Sequence, residues 1–242
     1  MIFDSHAHYD DEQFDIDRDL LLGSSLPQKA VVGIINVCSS MESIPKTLAL
    51  ISRYDYLYGG VGIHPECAGH LPSDYLQVIE QAAVNKKVVA IGEIGLDYHY
   101  EDACPKAIQK AVFLAQLTLA KRLNLPVILH DREAHGDTMD ILRETKPKGV
   151  VHCFSGSREM AREIIKLGMY IGLGGVVTFK NARNSLEVVG EIPLDRLLLE
   201  TDCPYLAPVP YRGKRNDSSL IPYAAAKIAE VRGISAVEVL HA

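Results

Sequence analysis

Short runs of apolar, mainly β-branched residues alternate along the chain with longer segments that carry apolar residues at every third or fourth position. The runs cover residues 1–4, 31–37, 57–63, 88–94, 126–130, 149–152, 170–173 and 196–200. Most are continuously apolar rather than alternating, which is typical of parallel strands that are covered on both faces. Eight such strands with helical segments between them predict an α/β fold.

The helical segments carry recognisable start and stop signals. Segment 105–124 has the clearest pattern, with Pro105 at its start and apolar residues spaced by three or four along it. Ser157 is a candidate N-cap for another helix, and Gly168 is placed to end it. Further helices are predicted over 73–87, 181–191 and 235–242.

The length of 242 residues matches the roughly 250 residues of a (β/α)₈ barrel. We therefore predict a TIM barrel that forms a single hydrolase domain over 1–242. An open, doubly wound sheet is the alternative, but it normally carries a Gly-rich phosphate loop after its first strand. His6 and His8 stand at that place instead.

Composition narrows the class of protein. The chain is 48% hydrophobic and 23% charged, and it has no apolar run of the roughly 18–20 residues that a membrane span needs. Its start lacks the features of a signal peptide, and its five cysteines form no CxxC pair, so we expect reduced thiols and a cytoplasmic location. A net charge of −6 argues against a general nucleic-acid coating protein but leaves room for a local basic patch.

Histidine and acidic residues fall at or just after the carboxyl ends of the predicted strands. Because these ends converge on one face of a barrel, where active sites lie, we expect the residues to share a pocket. The set comprises His6, His8, His64, Glu93, His130, His152 and Asp202.

The residue types in this set favour metal binding. His6 and His8 point to the same side of an extended strand, so two imidazoles can grip one ion, although a His-x-His pair alone is a weak signal. Imidazoles with carboxylates suit zinc, manganese or another divalent cation. Glu93 closes an apolar strand, which is costly for a carboxylate unless it binds metal or pairs with a cation; it could bridge two ions. For Asp202 the alternative is a turn or helix-cap role, and Glu200 is expected to orient a ligand rather than bind metal.

Other residues near this face are candidates for substrate binding. His64 is interpreted as a donor to a substrate oxygen, the alternative being a hydrogen-bonded core histidine. Arg132 follows the fifth strand, and Arg212 and Lys214 belong to a Gly-containing basic loop after the eighth. Such a loop suits phosphate oxygens, although solvated charge clusters are equally common.

Seven stretches of the chain resemble the TatD family of metal-dependent deoxyribonucleases, within the amidohydrolase-like barrel superfamily. They occur in the family's order and cover nearly the whole chain. The stretches are FDSHAH at 3–8, GIHP at 62–65, GEIGLDY at 92–98, PVILH at 126–130, HCFSG at 152–156, ETDCPYL at 200–206 and RGKRN at 212–216.

The resemblance implies a TIM-type barrel that holds two divalent ions, with Zn, Mg and Mn as the candidates. It implies hydrolysis of DNA phosphodiesters, often by 3′–5′ exonuclease action, and some relatives are linked to D-aminoacyl-tRNA deacylation. Glu93 would be shared between the ions. The ligands that it implies are His6, His8, Glu93, His130, His152 and Asp202.

Our hypothesis from the sequence is metal-assisted hydrolysis of DNA, single-stranded or at 3′ ends, by a monomer with no membrane partner. Asp202, Glu93 and His64 would be catalytic, while His64, Arg132, Arg212 and Lys214 would bind substrate. The alternatives are hydrolysis of a small amide, ester or lactone on the same metals, and a binding scaffold without catalysis. Many superfamily members have a carboxylated lysine at the position of Glu93. The glutamate in this sequence therefore favours the nuclease interpretation.

The end of the chain departs from the family pattern. Family members usually continue with a further helical segment, whereas this sequence stops at Ala242, within the helix predicted over 235–242. We expect either a truncated chain or a short last helix.

Overall fold

Eight strands pair in the order of the sequence, each parallel to the next, in the computed structural model, which describes residues 1–100 and 104–242. The strands are Ile2–Ala7 (β1), Val31–Val37 (β2), Leu57–Val61 (β3), Val88–Asp97 (β4), Val127–Arg132 (β5), Gly149–Val151 (β6), Tyr170–Leu173 (β7) and Leu197–Leu199 (β8). The segment after β8 closes the sheet onto β1: Ala7 and Cys203 form a parallel bridge. The amide of Asp202 donates a hydrogen bond to the carbonyl of His6 at 2.9 Å. The predicted (β/α)₈ barrel is confirmed.

Helices connect the strands and surround the barrel. In the described residues they are Arg18–Leu20 (α1), Leu26–Gln28 (α2), Ser43–Arg53 (α3), Tyr75–Ala82 (α4), Lys106–Leu123 (α5), His135–Thr145 (α6), Arg158–Lys166 (α7), Arg183–Glu191 (α8), Ile221–Arg232 (α9) and Ala236–His241 (α10). The predicted cap of α7 is confirmed, because the Ser157 hydroxyl accepts a hydrogen bond from the amide of Met160 at 3.2 Å. At α10, Ser235 and Glu238 form a reciprocal capping box.

One predicted helix is shorter than its pattern indicated. The segment 73–87 is helical only as α4, which ends at Ala82. The chain turns after Ala82: the amides of Val84 and Asn85 donate to the carbonyls of Gln81 and Ala82, and Asn85 Oδ1 accepts a hydrogen bond from the amide of Lys87 at 3.0 Å. The Lys87 ammonium then donates to the carbonyls of Ile51 and Tyr54 at the carboxyl end of α3.

Among the strands that lead to the candidate ligands, β1 and β4 are longer than predicted, whereas β3, β6 and β8 are shorter. β1 continues to Ala7 and β4 to Asp97, whereas the apolar runs stop at 4 and 94. The pairing register shifts between Asp4 and Ala7 and again between Ile91 and Ile94. Such irregularities redirect side chains, and here they lie at His6 and Glu93.

A small apolar cluster fills the inside of the barrel below the carboxyl ends of the strands. It is formed by Val37, Ala90, Ile128 and Val150. The space is narrow: a Cβ added at Gly92 would lie 2.6 Å from the Cβ of Ile128. The buried polar residues described below therefore lie above this cluster, at the carboxyl face.

None of the helices in the described residues is long and apolar enough to cross a membrane.

Candidate metal centre

Four side-chain atoms from β1 and the residue after it, from β4 and from the segment after β8 converge at the carboxyl face. His6 Nε2 lies 3.0 Å from His8 Nε2. Each of these nitrogens lies 3.3–3.7 Å from Glu93 Oε2 and from Asp202 Oδ1. Ligands at the usual distances from a tetrahedral zinc ion are roughly 3.3–3.6 Å apart. The spacing of these four atoms therefore fits one divalent cation.

A second group of three atoms lies on the other side of Glu93. Glu93 Oε1 is 2.8 Å from His130 Nδ1 and 2.6 Å from His152 Nε2. The two nitrogens are 3.3 Å apart. The two oxygens of the Glu93 carboxylate are thus divided between the two groups. These three atoms would leave a coordination position open on a cation bound here, as in catalytic sites.

Hydrogen bonds on the far side of two imidazoles fix the nitrogen that each presents. The Nδ1–H of His8 donates to the carbonyl of Val37 at 2.7 Å, which leaves Nε2 facing the first group. The Nε2–H of His130 donates to Asp97 Oδ2 at 2.9 Å, which leaves Nδ1 facing the second. These tautomers follow from the partners, and such support is typical of metal-binding histidines.

The donor set fits cations because imidazole nitrogens and carboxylate oxygens, which all offer lone pairs, face one another in a buried place. His6, Glu93 and His152 are all less than 5% exposed, and their nitrogens and oxygens converge without a cationic side chain between them. When no cation is bound, protons fill this role. Burial alone would lower the pKa of His8, but its hydrogen bond with Asp202 and the charges of Asp202 and Glu93 raise it to about 10. Cation binding therefore displaces protons.

The two carboxylates of the centre stay ionised. Burial alone would raise the pKa of Glu93, but the neighbouring imidazoles, His152 first, hold that pKa well below its usual value. Burial alone would also raise the pKa of Asp202. The hydrogen bond between Asp202 and His8 and the charge of His152 outweigh this effect, so the pKa of Asp202 is lowered. Both side chains are therefore available as anionic ligands.

His64 lies beside the second group but presents a different kind of atom. Its Nδ1 accepts a hydrogen bond from the amide of Glu66 at 3.2 Å, so its Nε2 carries the hydrogen. That Nε2 points to Glu93 Oε1 at 3.7 Å. Burial lowers the pKa of His64 to about 3. In this tautomer His64 is a neutral hydrogen-bond donor at the edge of the centre.

A cavity of about 640 Å³ opens above these residues. Of the predicted binding residues, His64 and Arg132 line it, whereas Arg212 and Lys214 lie outside the set of described residues that do. The guanidinium of Arg212 packs 4.3 Å from the ring centre of Phe179. The structure therefore brings all six predicted ligands together, but it does not place the basic loop on the cavity wall.

Comparison with known proteins identifies the family. The family model described as TatD related DNase matches residues 3–242. The chain belongs to the TatD-related DNase family. The resemblance noted in the sequence is thereby confirmed, and with it the membership in a family of metal-dependent hydrolases.

Individual relatives agree with this assignment. The chain is 46% identical to the uncharacterized metal-dependent hydrolase YabD of Bacillus subtilis over 242 residues, which cover 99% of this chain and 94% of YabD. The crystal structure of YjjV, a TatD homologue from Escherichia coli K12, matches with a TM-score of 0.93 and 35% identity, covering 99% of this chain and 93% of that one. A TatD-family hydrolase structure from Entamoeba histolytica matches with a TM-score of 0.89 and 27% identity, covering 100% and 95%.

A buried carboxylate that the sequence analysis missed supports the closing seam of this TatD-family barrel. Asp4 Oδ1 accepts a hydrogen bond from the amide of Thr201 at 3.0 Å, and Oδ2 accepts one from the Thr201 hydroxyl at 2.6 Å. The Ser218 hydroxyl also donates to Oδ2 at 2.6 Å. Asp202 follows directly, in the left-handed conformation at φ +59°. Asp4 therefore holds the turn that presents Asp202.

Asp97 is the second residue that the analysis missed. It lies four residues after Glu93 in β4, so its side chain points to the same face of the strand. That spacing within GEIGLDY was the available signal, and the bond to His130 Nε2 is its structural consequence.

Glu200 lies behind His152, away from the cavity. Its Oε1 is 3.8 Å from His152 Nδ1. Neither its Oε2 nor His152 Nδ1 has a hydrogen-bond partner among the described residues. Burial raises the pKa of Glu200 to about 8. Its predicted role in orienting His152 remains a prediction.

Proposed function

We propose that this protein is a divalent-metal-dependent phosphodiesterase that cleaves DNA, as a 3′–5′ exodeoxyribonuclease, with two bound cations of Zn, Mg or Mn. The observation that carries the proposal is the division of the Glu93 oxygens between two groups of ligand atoms. A cation in each group would make Glu93 a bridge. DNA as substrate is taken from the family, whose model describes a DNase.

The chemistry needs no covalent intermediate with the protein. Cys153 lines the cavity beside His152, but burial raises the pKa of its thiol well above the usual value. A thiol that stays protonated is a poor nucleophile. Attack by water is therefore the route that these residues favour.

The side chains of the centre divide the work of that attack. Bound divalent cations would lower the pKa of a water molecule toward about 7 and neutralise charge that develops on the phosphoryl oxygens. Asp202 stays ionised, so it orients the attacking water and accepts its proton. Glu93 holds the two ligand groups in a fixed relation to each other.

Donors at the cavity wall stabilise the phosphoryl oxygens. His64 offers its Nε2–H from a buried, neutral ring, which does not need to change its charge during the reaction. Arg132 adds a guanidinium on the side of β5. Arg212 and Lys214 lie outside the cavity wall, and we assign them to the binding of phosphates farther along the DNA strand.

Digestion of end-labelled single-stranded DNA tests this function. With Mg²⁺, Mn²⁺ or Zn²⁺ we expect 5′-labelled strands to shorten progressively from the 3′ end, and chelator to abolish the reaction. Glu93→Gln, which keeps the size of the side chain, serves as the inactive control. No cleavage under any metal, together with turnover of a lactone or amide panel, would replace the proposal with the small-molecule alternative.

We also propose that the protein is a monomer located in the cytoplasm. All five cysteines are free. Gel filtration of the metal-loaded protein should give the mass of one chain.

A further inference from the structure

We propose that Tyr205, with Leu206 beside it, forms a stacking subsite for the nucleobase next to the scissile phosphate. The inference rests on the proposed phosphodiesterase function and adds what that function leaves open, namely which chemical group beside the phosphate is recognised. It concerns a side chain three residues after Asp202 on the cavity wall.

The ring of Tyr205 is held rigidly and yet left in contact with solvent. Its amide donates a hydrogen bond to the carbonyl of Asp202 at 2.9 Å. The side-chain amide of Asn216 donates to the carbonyl of Tyr205 at 2.8 Å. At the other end of the side chain, the hydroxyl donates to Asp11 Oδ2 at 2.8 Å. The residue nevertheless remains 50% exposed.

A fixed, half-exposed aromatic ring is suited to binding a flat ligand. Because its orientation is set in advance, little side-chain entropy is lost when a ligand covers it. Among the described residues, no ring or guanidinium stacks on Tyr205. Tyr100, on the opposite side of the barrel, already has the Arg132 guanidinium 5.2 Å from its ring centre.

The backbone beside Tyr205 is strained. Leu206 has φ +54°, in the left-handed region that bulky residues avoid. Its carbonyl packs so closely on Gly175 that a Cβ there would lie 2.2 Å from the oxygen. Leu206 also lines the cavity. Strain that the surroundings maintain in this way is concentrated at ligand-binding sites.

The charge of the wall points to a neutral, flat group rather than to more phosphate. Asp10, Asp11 and Glu66 line the cavity without a lysine or arginine partner in the described part of the chain, and Arg132 is the one lysine or arginine there. These carboxylates repel further phosphates. Within the cavity wall, recognition of the group beside the scissile phosphate must therefore come from uncharged surface, and stacking of bases on aromatic rings supplies it.

Two small diesters separate this subsite from the rest of the site. Thymidine 5′-(p-nitrophenyl phosphate) and methyl p-nitrophenyl phosphate share the same leaving group and differ in the nucleoside. In wild type we expect the first to have the higher kcat/KM. In Tyr205→Leu the preference for it should fall, mainly through KM, by roughly 5- to 150-fold, the range that corresponds to the loss of one stacked base.

Matched variants give the controls. Tyr205→Phe keeps the ring and loses only the hydrogen bond to Asp11, so it should retain most of the preference. Tyr223→Leu removes another exposed tyrosine, whose hydroxyl meets Tyr211 away from the cavity, and should behave as wild type.

Three results would overturn the subsite. An unchanged preference in Tyr205→Leu, or an equal loss on both diesters, would show that Tyr205 recognises no base. A comparable loss of preference in Tyr223→Leu would show that the effect is not specific to the cavity. If wild type cleaved neither diester with any of the metals, the proposed phosphodiesterase function would fail, and the subsite with it.

Discussion

His64 differs from the other imidazoles of the centre in the atom that it presents. His8 and His130 are supported on their far side by acceptors, which leaves a lone pair facing the ligand groups. His64 is supported by a donor, the amide of Glu66, which leaves an N–H. The local chain decides this, because His64 precedes Pro65 at the start of a 3₁₀ turn over Pro65–His70. Histidine thus has two roles in one site: His8 and His130 present a lone pair, and His64 presents an N–H.

Replacing His64 therefore separates catalysis from metal binding. In His64→Ala we expect kcat on DNA to fall by about 10²- to 10³-fold, the usual effect of removing one donor to a developing oxyanion. The metal content of the variant should equal that of wild type. Steady-state kinetics and elemental analysis of the same preparation provide the test, and a loss of bound metal would make His64 a ligand instead.

Glu200 gives a residue-scale prediction about pH. Burial raises its pKa from 4.5 to about 8, so the folded state keeps a proton that the unfolded chain releases. The contribution of Glu200 to the free energy of unfolding therefore falls as the pH rises from 4.5 to about 8. Glu200→Gln removes this dependence, and urea denaturation in chelator at several pH values measures it. The variant should gain stability relative to wild type as the pH rises, and a constant difference would contradict the buried, protonated carboxyl.

At the scale of elements, the strands were predicted well in number and less well in length. The apolar runs of β2 and β7 match the observed bounds, although β2 also buries the polar Asn36, whose side chain hydrogen-bonds the amide of Tyr9 and the hydroxyl of Thr47. β1 and β4 extend into polar sequence, where His6 and Asp97 are buried. Hydrophobicity cannot reveal such positions, since a partner from another strand is what makes their burial possible.

The seam between β1 and the segment after β8 provides a matched pair of variants. Thr201→Val removes the hydroxyl that bonds Asp4 and accepts from the amide of Cys203 at 3.2 Å. Ser218→Ala removes another hydroxyl on the same Asp4 oxygen but leaves the turn of Asp202 untouched. Both should lower the free energy of unfolding by about 1–3 kcal/mol.

Only Thr201→Val should weaken metal binding, because it alone loosens the turn that presents Asp202. We expect its Zn²⁺ affinity, measured by competition with a chelator, to fall by about 10- to 100-fold. Ser218→Ala should keep the wild-type affinity. Equal affinities in the two variants would show that Asp4 stabilises the seam without positioning the ligand.

At the scale of the whole molecule, the barrel brings together residues that lie far apart in the sequence. The positions of His6, Glu93, His152 and Asp202 at strand ends, together with the motifs around them, were enough to predict one shared pocket. The sequence could not show whether Arg212 reaches the cavity wall, because a cluster of charges does not reveal where each side chain packs; its guanidinium lies over the ring of Phe179. The supporting role of Asp4 could not be predicted, because it depends on contacts that form when the segment after β8 closes the barrel onto β1.

The most direct test of the account is anomalous diffraction from crystals of the Mn²⁺-loaded protein. We predict two peaks about 3.5–4 Å apart. One should be bound by His6, His8 and Asp202 and the other by His130 and His152, with Glu93 between them. A single peak, or two peaks that do not share Glu93, would contradict the bridged pair on which the proposed function depends.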